Sequence, residues 1–114
     1  MLLNDFLAKL NGQAEAIEFS ETMAVIESNY SYSEVAFSNG EQNNAAGENA
    51  GSCKIFAFAK LNKLTETQTL GCFGTYYRDD VLGFPDASDH QNIRQFMIHG
   101  WDGINFSGPA LVKK

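Results

Sequence analysis

Gly47-Glu48-Asn49-Ala50-Gly51-Ser52-Cys53-Lys54-Ile55-Phe56-Ala57-Phe58-Ala59 joins a polar, glycine-containing loop to an apolar run, and its reading decides how the rest of the chain is arranged. Ser52 is the expected N-cap of a helix running to about Asn62. Ile55, Phe56, Phe58, Ala59 and Leu61 surround that helix instead of lining one stripe, which predicts a buried central element. Upstream, Asn43 to Ser52 is rich in Asn, Ala and Gly and reads as the one real loop, a length at which loops often carry function.

Helices are expected on both sides. Leu3, Phe6, Leu7 and Leu10 fall at i, i+3, i+4 and i+7 on one face of a first helix, which Gly12 ends. Ile17-Glu18-Phe19 reads as a brief strand with Ser20 capping a helix through Asn29; one longer helix from Gln13 is the alternative. Thr65-x-x-Gln68 is a capping-box pattern opening a helix from Glu66 to about Leu82, with Leu70, Phe73 and Tyr77 inward and Gly71 and Gly74 permitting close packing. Gly83-Phe84-Pro85 stops it. Ser88-x-x-Gln91 then predicts a last helix from Asp89 to His99 that buries Ile93, Phe96 and Met97, with Gly100 past its end.

Strand signals are fewer. Tyr32, Val35 and Phe37 precede Asn39-Gly40, the pair that suits both central positions of a type I′ hairpin turn. The following Glu41-Gln42-Asn43-Asn44 is a poor strand, so a short exposed hairpin with a weak second arm is expected. Trp101 to Pro109 carries the turn residues and alternation of another short strand, with Ile104 to Phe106 able to pair near Val35 to Phe37. The sum is a single α+β domain over residues 1–114, mostly helical, with a small antiparallel sheet.

With 14 acidic residues against 8 basic and a net charge of −6, the chain lacks the clustered positive charge that nucleic acid or an anionic membrane requires. Cys53 and Cys72 are too few for a disulfide framework and read as reduced thiols in a cytosolic protein. The opening residues have no basic n-region or long apolar region, so no secretory signal is expected, and no stretch approaches a membrane span.

Four blocks together resemble the HopJ type III effector family: Phe37-Ser38-Asn39-Gly40; Ala46 through Ala59; Cys72-Phe73-Gly74-Thr75-Tyr76-Tyr77-Arg78; and Asp89 through Met97 with Gly100-Trp101. The resemblance runs over nearly the whole chain. It implies the family's fold and no catalytic residue, since the family is named for a protein delivered by a bacterial secretion system. A chain that enters its first helix at Leu2 or Leu3 leaves little room for a disordered export signal. It is therefore read as a resident bacterial cytosolic protein of the same fold, with translocation by a type III system left open for some relatives.

Candidate chemistry centres on the loop and helix start. Cys53 as the first helical residue, beside Lys54, would have a favoured thiolate, and His90, with Asp89 or Asp86 to orient it, would be its base. The plainer reading puts Cys53 on a stripe with Phe56, Ala57, Leu61 and Leu64 as a small hydrophobe. Asp86, Ser88, His90 and Asn92 alternate like part of a calcium loop, but Gln91 stands where glycine is needed and Met97 where glutamate is needed. His90 and His99 are out of phase on one helix, and the spacing before Lys54 is not that of a phosphate loop. No metal or cofactor is expected. The leading expectation is a small non-catalytic protein that binds a protein partner or a small anionic ligand. Its candidate site residues are Asn44, Asn49, Gly51, Ser52, Cys53, Lys54, Tyr76, Arg94 and Trp101, drawn from the loop and from an excess of Tyr30, Tyr32, Tyr76, Tyr77, Phe84 and Trp101 over what the core needs.

Overall fold

The structure, a computed structural model, describes residues 2–114. Five α-helices among them are α1 (Leu3–Gly12), α2 (Phe19–Asn29), α3 (Ala50–Leu61), α4 (Glu66–Gly71) and α5 (Gln91–His99). Strands β1 (Tyr30–Tyr32) and β5 (Leu111–Lys113) form one antiparallel pair; β2 (Phe37–Asn39) lies between β3 (Gln42–Asn44) and β4 (Ile104–Phe106) in a second antiparallel sheet. This is the expected α+β domain. None of the described helices is long and apolar enough to cross a membrane.

α3 is the axis of the core. Cys53 and every residue from Ile55 to Ala59 are buried, as an all-round apolar helix requires, while Leu61 at its end is exposed. Phe56 meets the rings of Phe37, Phe73 and Phe96 at 6.2, 5.5 and 5.0 Å, so one side chain ties β2, the turn after α4 and α5 together. The β2–β4 pairing sets Phe37 opposite Phe106, whose rings stack at 5.6 Å.

Local expectations shift in six places. Ile17-Glu18-Phe19 is not a strand: a 3₁₀ turn at Ala14–Ala16 leads into α2, and Glu18, not Ser20, is its N-cap, its N–H donating to Glu21 Oε1 at 3.1 Å. The hairpin turn is one residue later than the Asn-Gly pair suggests. Asn39 pairs with Gln42, leaving Gly40-Glu41 as the connection, with φ positive at Gly40 alone, which is the type II′ pattern. The second arm does form, because Asn44 is buried and hydrogen-bonded instead of facing water.

The long helix expected from Glu66 is broken. The Thr65–Gln68 box closes at 2.9 and 3.1 Å, but the chain leaves α4 at Gly71, turns through Gly74 at φ +62° and continues as a π-helical segment, Tyr76–Val81. α5 begins at Gln91 with His90 as a left-handed N-cap, so Asp89 lies outside the helix. Gln91 meets Ser88 through its side chain, donating to the Ser88 carbonyl at 2.9 Å. Met97 faces solvent where a buried position was expected.

Candidate functional site

The loop Ala45–Asn49 brings the N-terminus of α3 against the N-terminus of α5. Asn49 and His90 hold the two N-cap positions in the left-handed region, at φ 50° each, and neither uses its side chain as a cap. Asn tolerates that conformation, and its amide is employed elsewhere. Between the two helix starts lies a cleft of about 360 Å³, with Asn49, Gly51 and Ser52 on one side and His90, Gln91 and Asn92 on the other. First-turn amides have no partner within their own helix, so both ends present partial positive charge to the same space.

A side-chain network fixes this geometry. Asn92 Nδ2 donates to Asn44 Oδ1 at 2.9 Å and Asn44 Nδ2 returns a bond to Asn92 Oδ1 at 3.2 Å. Asn49 Nδ2 donates to Asn44 Oδ1 at 2.7 Å, and Asn39 Nδ2 reaches the Asn92 carbonyl at 2.7 Å. Asn39, Asn44 and Asn92 are buried, and their amide groups are paired except Asn39 Oδ1, which has no partner among the described residues, so the bonds that do form hold the geometry and are costly to break. Asn92→Ala is expected to destabilise the fold by about 1–3 kcal/mol, since Asn44 loses both a donor and an acceptor. Urea denaturation measures it, and a loss near zero would show the network to be dispensable.

The third wall is aromatic. Tyr76 stands edge-on to Phe19 at 5.0 Å and lies 5.2 Å from the His90 ring, and Phe73 closes the floor. His90 Nε2 is 3.0 Å from Asp80 Oδ2, with Asp89 Oδ2 farther off at 3.8 Å. The π-helical segment supplies both Tyr76 and Asp80, and π turns recur at functional sites. The lining contains no carboxylate, lysine or arginine.

Of the residues singled out in the sequence, Asn49, Gly51, Ser52, Tyr76 and His90 meet at this cleft, and Asn44 stands one hydrogen bond behind it. The others lie elsewhere. Ser52 is the third residue of α3 and Asn49 the cap, so Cys53, whose N–H donates to the Asn49 carbonyl at 3.0 Å, sits past the unpaired amides and not at the first position. Its side chain is 1% exposed and does not line the cleft. Burial pushes the Cys53 thiol up, and Tyr32 and Lys54 offset only part of that, the reverse of the activated thiolate that a nucleophile needs.

Lys54 lies 3.7 Å from Glu27 and over the Tyr32 ring. Arg94 is held by Asp89 at 2.6 Å and lines a different groove, and Trp101 packs edge-on against Phe96 away from the cleft. His90 is oriented by Asp80, not by Asp86. Among the described residues no three His, Cys, Asp or Glu side chains come together as a metal site. Phe19, Gln42, Phe73, Gln91, Asn92 and Ile93 complete the lining and were not anticipated. Asn92 carries a signal, an amide in the first turn of an apolar-striped helix; Phe19 carries none, because Ile17-Glu18-Phe19 reads as a strand.

Both thiols are expected to alkylate more slowly than free cysteine at about pH 8. Burial pushes Cys72 up to about 12. A raised folded-state value stabilises the fold fully below the ordinary thiol value of about 8.5, and that contribution is lost as pH rises toward the folded value. The melting temperature should therefore decline on the alkaline side of that value, and replacing Cys72 with alanine should flatten the decline.

A family model described as HopJ type III effector protein matches residues 3–111. The crystal structure of an "unknown function protein VPA0580" is similar at a TM-score of 0.98 and 55% sequence identity, covering 100% of this chain and 95% of that chain. No curated protein matches. A match over nearly the entire length, carrying the loop, both helix starts and the aromatic wall, means that the chain belongs to the HopJ type III effector protein family.

Proposed function

We propose that this protein is a small non-catalytic binding protein whose cleft between the starts of α3 and α5 holds a small anionic ligand. One observation carries the reading: two helix N-termini, neither capped by its own N-cap side chain, open on one cleft whose lining has no carboxylate. Opposed helix ends favour a negative group placed between them. With no lysine or arginine in the lining, a singly charged group such as a carboxylate suits the site better than a polyphosphate, and Phe19, Phe73 and Tyr76 give an apolar body somewhere to lie. The thiol-enzyme alternative has no support from the position of Cys53. We place the protein in the bacterial cytoplasm on the reading of its two cysteines as reduced thiols.

The test is an amide NMR titration with benzoate, acetate and inorganic phosphate. Saturable shifts are expected at Gly51, Ser52, Gln91 and Asn92, with benzoate the tightest. Ser52→Asp puts a carboxylate in the first turn of α3, where the helix tolerates it well, and should weaken benzoate at least about tenfold by repulsion. Unchanged benzoate binding by Ser52→Asp, or shifts confined to other residues, would rule this site out.

A further inference from the structure

α5 has a second apolar face. Ile93 and Phe96 fill the core, but Met97 and Ile98 point outward, with Ile98 70% exposed. Arg94, Met97 and Ile98 stand at i, i+3 and i+4 and so share one side of the helix. The segment leaving the π turns runs alongside, and there Leu82 and Phe84 also stand in solvent, Phe84 at 65%. Between the two elements lies a groove of about 330 Å³, walled by Val81, Leu82, Pro85, Met97 and Ile98. A single exposed leucine needs no explanation, whereas four large apolar side chains on adjoining elements mark an interaction surface.

Charge decides what covers it. Residues 79–89 carry Asp79, Asp80, Asp86 and Asp89 and no basic residue. Asp80 is engaged by His90 and Asp89 by Arg94, while Asp79 and Asp86, which bracket Val81 to Pro85, have no ion-pair partner among the described residues. Arg94, the cation in the groove wall, is already held by Asp89 and by the Pro85 carbonyl at 3.2 Å. A second copy seated here about a two-fold axis would bring this acidic segment against its own copy, with each chain at −6, so like charges oppose that occupant. A partner with positive flanks gains where a second copy loses.

We propose that this groove docks an amphipathic helical segment of a protein partner, with its apolar ridge between Leu82 and Met97–Ile98 and its lysines or arginines against Asp79 and Asp86. Helix-in-groove recognition uses such an arrangement, and the flexible thioether of Met97 lets the wall adapt to the ridge it meets. The surface is separate from the cleft, and Gln91 is the residue that lines both. Each reading can therefore fail alone.

The probe is a fluorescein-labelled helical peptide with a leucine ridge and lysine flanks, compared by fluorescence anisotropy with a counterpart carrying glutamate for every lysine. The lysine peptide is expected to bind at least about tenfold more tightly than the glutamate peptide, with the difference shrinking as salt rises. Met97→Ser with Ile98→Ser, neutral changes at exposed positions, should weaken the lysine peptide at least about tenfold. Asp79→Asn with Asp86→Asn leaves the apolar wall intact and should narrow the gap between the two peptides. Absence of binding, equal binding of both peptides, or unchanged binding by the serine variant would overturn the proposal. Self-association in sedimentation that the serine variant abolishes would overturn it as well, assigning the groove to a second copy.

Discussion

Phe56→Ala should destabilise the protein by about 3–5 kcal/mol, the range for truncating a fully buried phenylalanine. That is a large part of the roughly 5–15 kcal/mol available to a domain of ordinary stability. Phe56 is fully buried in α3, and the three rings it meets come from different parts of the chain: Phe37 from β2, Phe73 from the turn after α4 and Phe96 from α5. Two of those neighbours are in turn held by another ring, Phe37 by Phe106 and Phe96 by Trp101, so the walls of the void cannot all move inward without displacing the sheet or the last helix. A poorly collapsing site sits at the costly end of the range. Phe56→Leu keeps most of the volume and should cost under about 1.5 kcal/mol. Urea denaturation of both variants decides the matter: if the alanine variant loses less than about 1 kcal/mol, Phe56 is not the junction of the core.

Particular residues explain which parts of this fold are legible in the sequence. α3 was legible because an apolar run with no polar stripe has one physical solution, complete burial, and the first helix was legible because Leu3, Phe6, Leu7 and Leu10 keep one period. The hairpin was legible to within one residue. Asn39-Gly40 supplies the turn chemistry, but the turn moved on because Asn39 has a better use inside, donating to the Asn92 carbonyl across 53 residues of sequence. The pairing of Tyr30–Tyr32 with Leu111–Lys113 gave no local sign, because it joins segments separated by most of the chain. A capping-box pattern proved right at Thr65 and displaced at Ser88, where the left-handed turn at His90 starts the helix two residues later.

The candidate site was half legible for a related reason. Loop composition and helix-start logic located Asn49, Gly51 and Ser52, and an adjacent acid and imidazole drew attention to His90. What sequence could not supply was their meeting, which depends on the buried exchange of hydrogen bonds between Asn44 and Asn92. The same partition removed Cys53. One helical turn separates a thiol on the open helix end from a thiol in the core, and shifting the cap from Ser52 to Asn49 moved Cys53 across that line.

Gly74→Ala should cost about 2–4 kcal/mol and disturb the cleft as well as the fold. Gly74 holds φ +62°, where a side chain is strained, and a Cβ there would lie 2.7 Å from the backbone nitrogen of Phe19 and 3.2 Å from the Ile17 carbonyl oxygen. Backbone at the start of α2 cannot swing aside as the end of a lysine can, so relief requires α2 to move away from the π-helical segment. Phe19 and Tyr76, in edge contact across that junction, form the aromatic wall of the cleft and would separate. Gly71 offers the internal control. Its φ is not in the left-handed region, and an added Cβ would meet Leu10 Cδ1 at 3.4 Å, an ordinary contact, so Gly71→Ala should stay within about 1 kcal/mol of the parent protein. Chemical denaturation of the pair, followed by the benzoate titration on each, separates the two roles. Large losses of stability and of benzoate binding in Gly74→Ala, with neither in Gly71→Ala, would tie the cleft to this one close approach of backbone; equal behaviour of the two variants would mean that the π-helical segment is not held where the site needs it by Gly74.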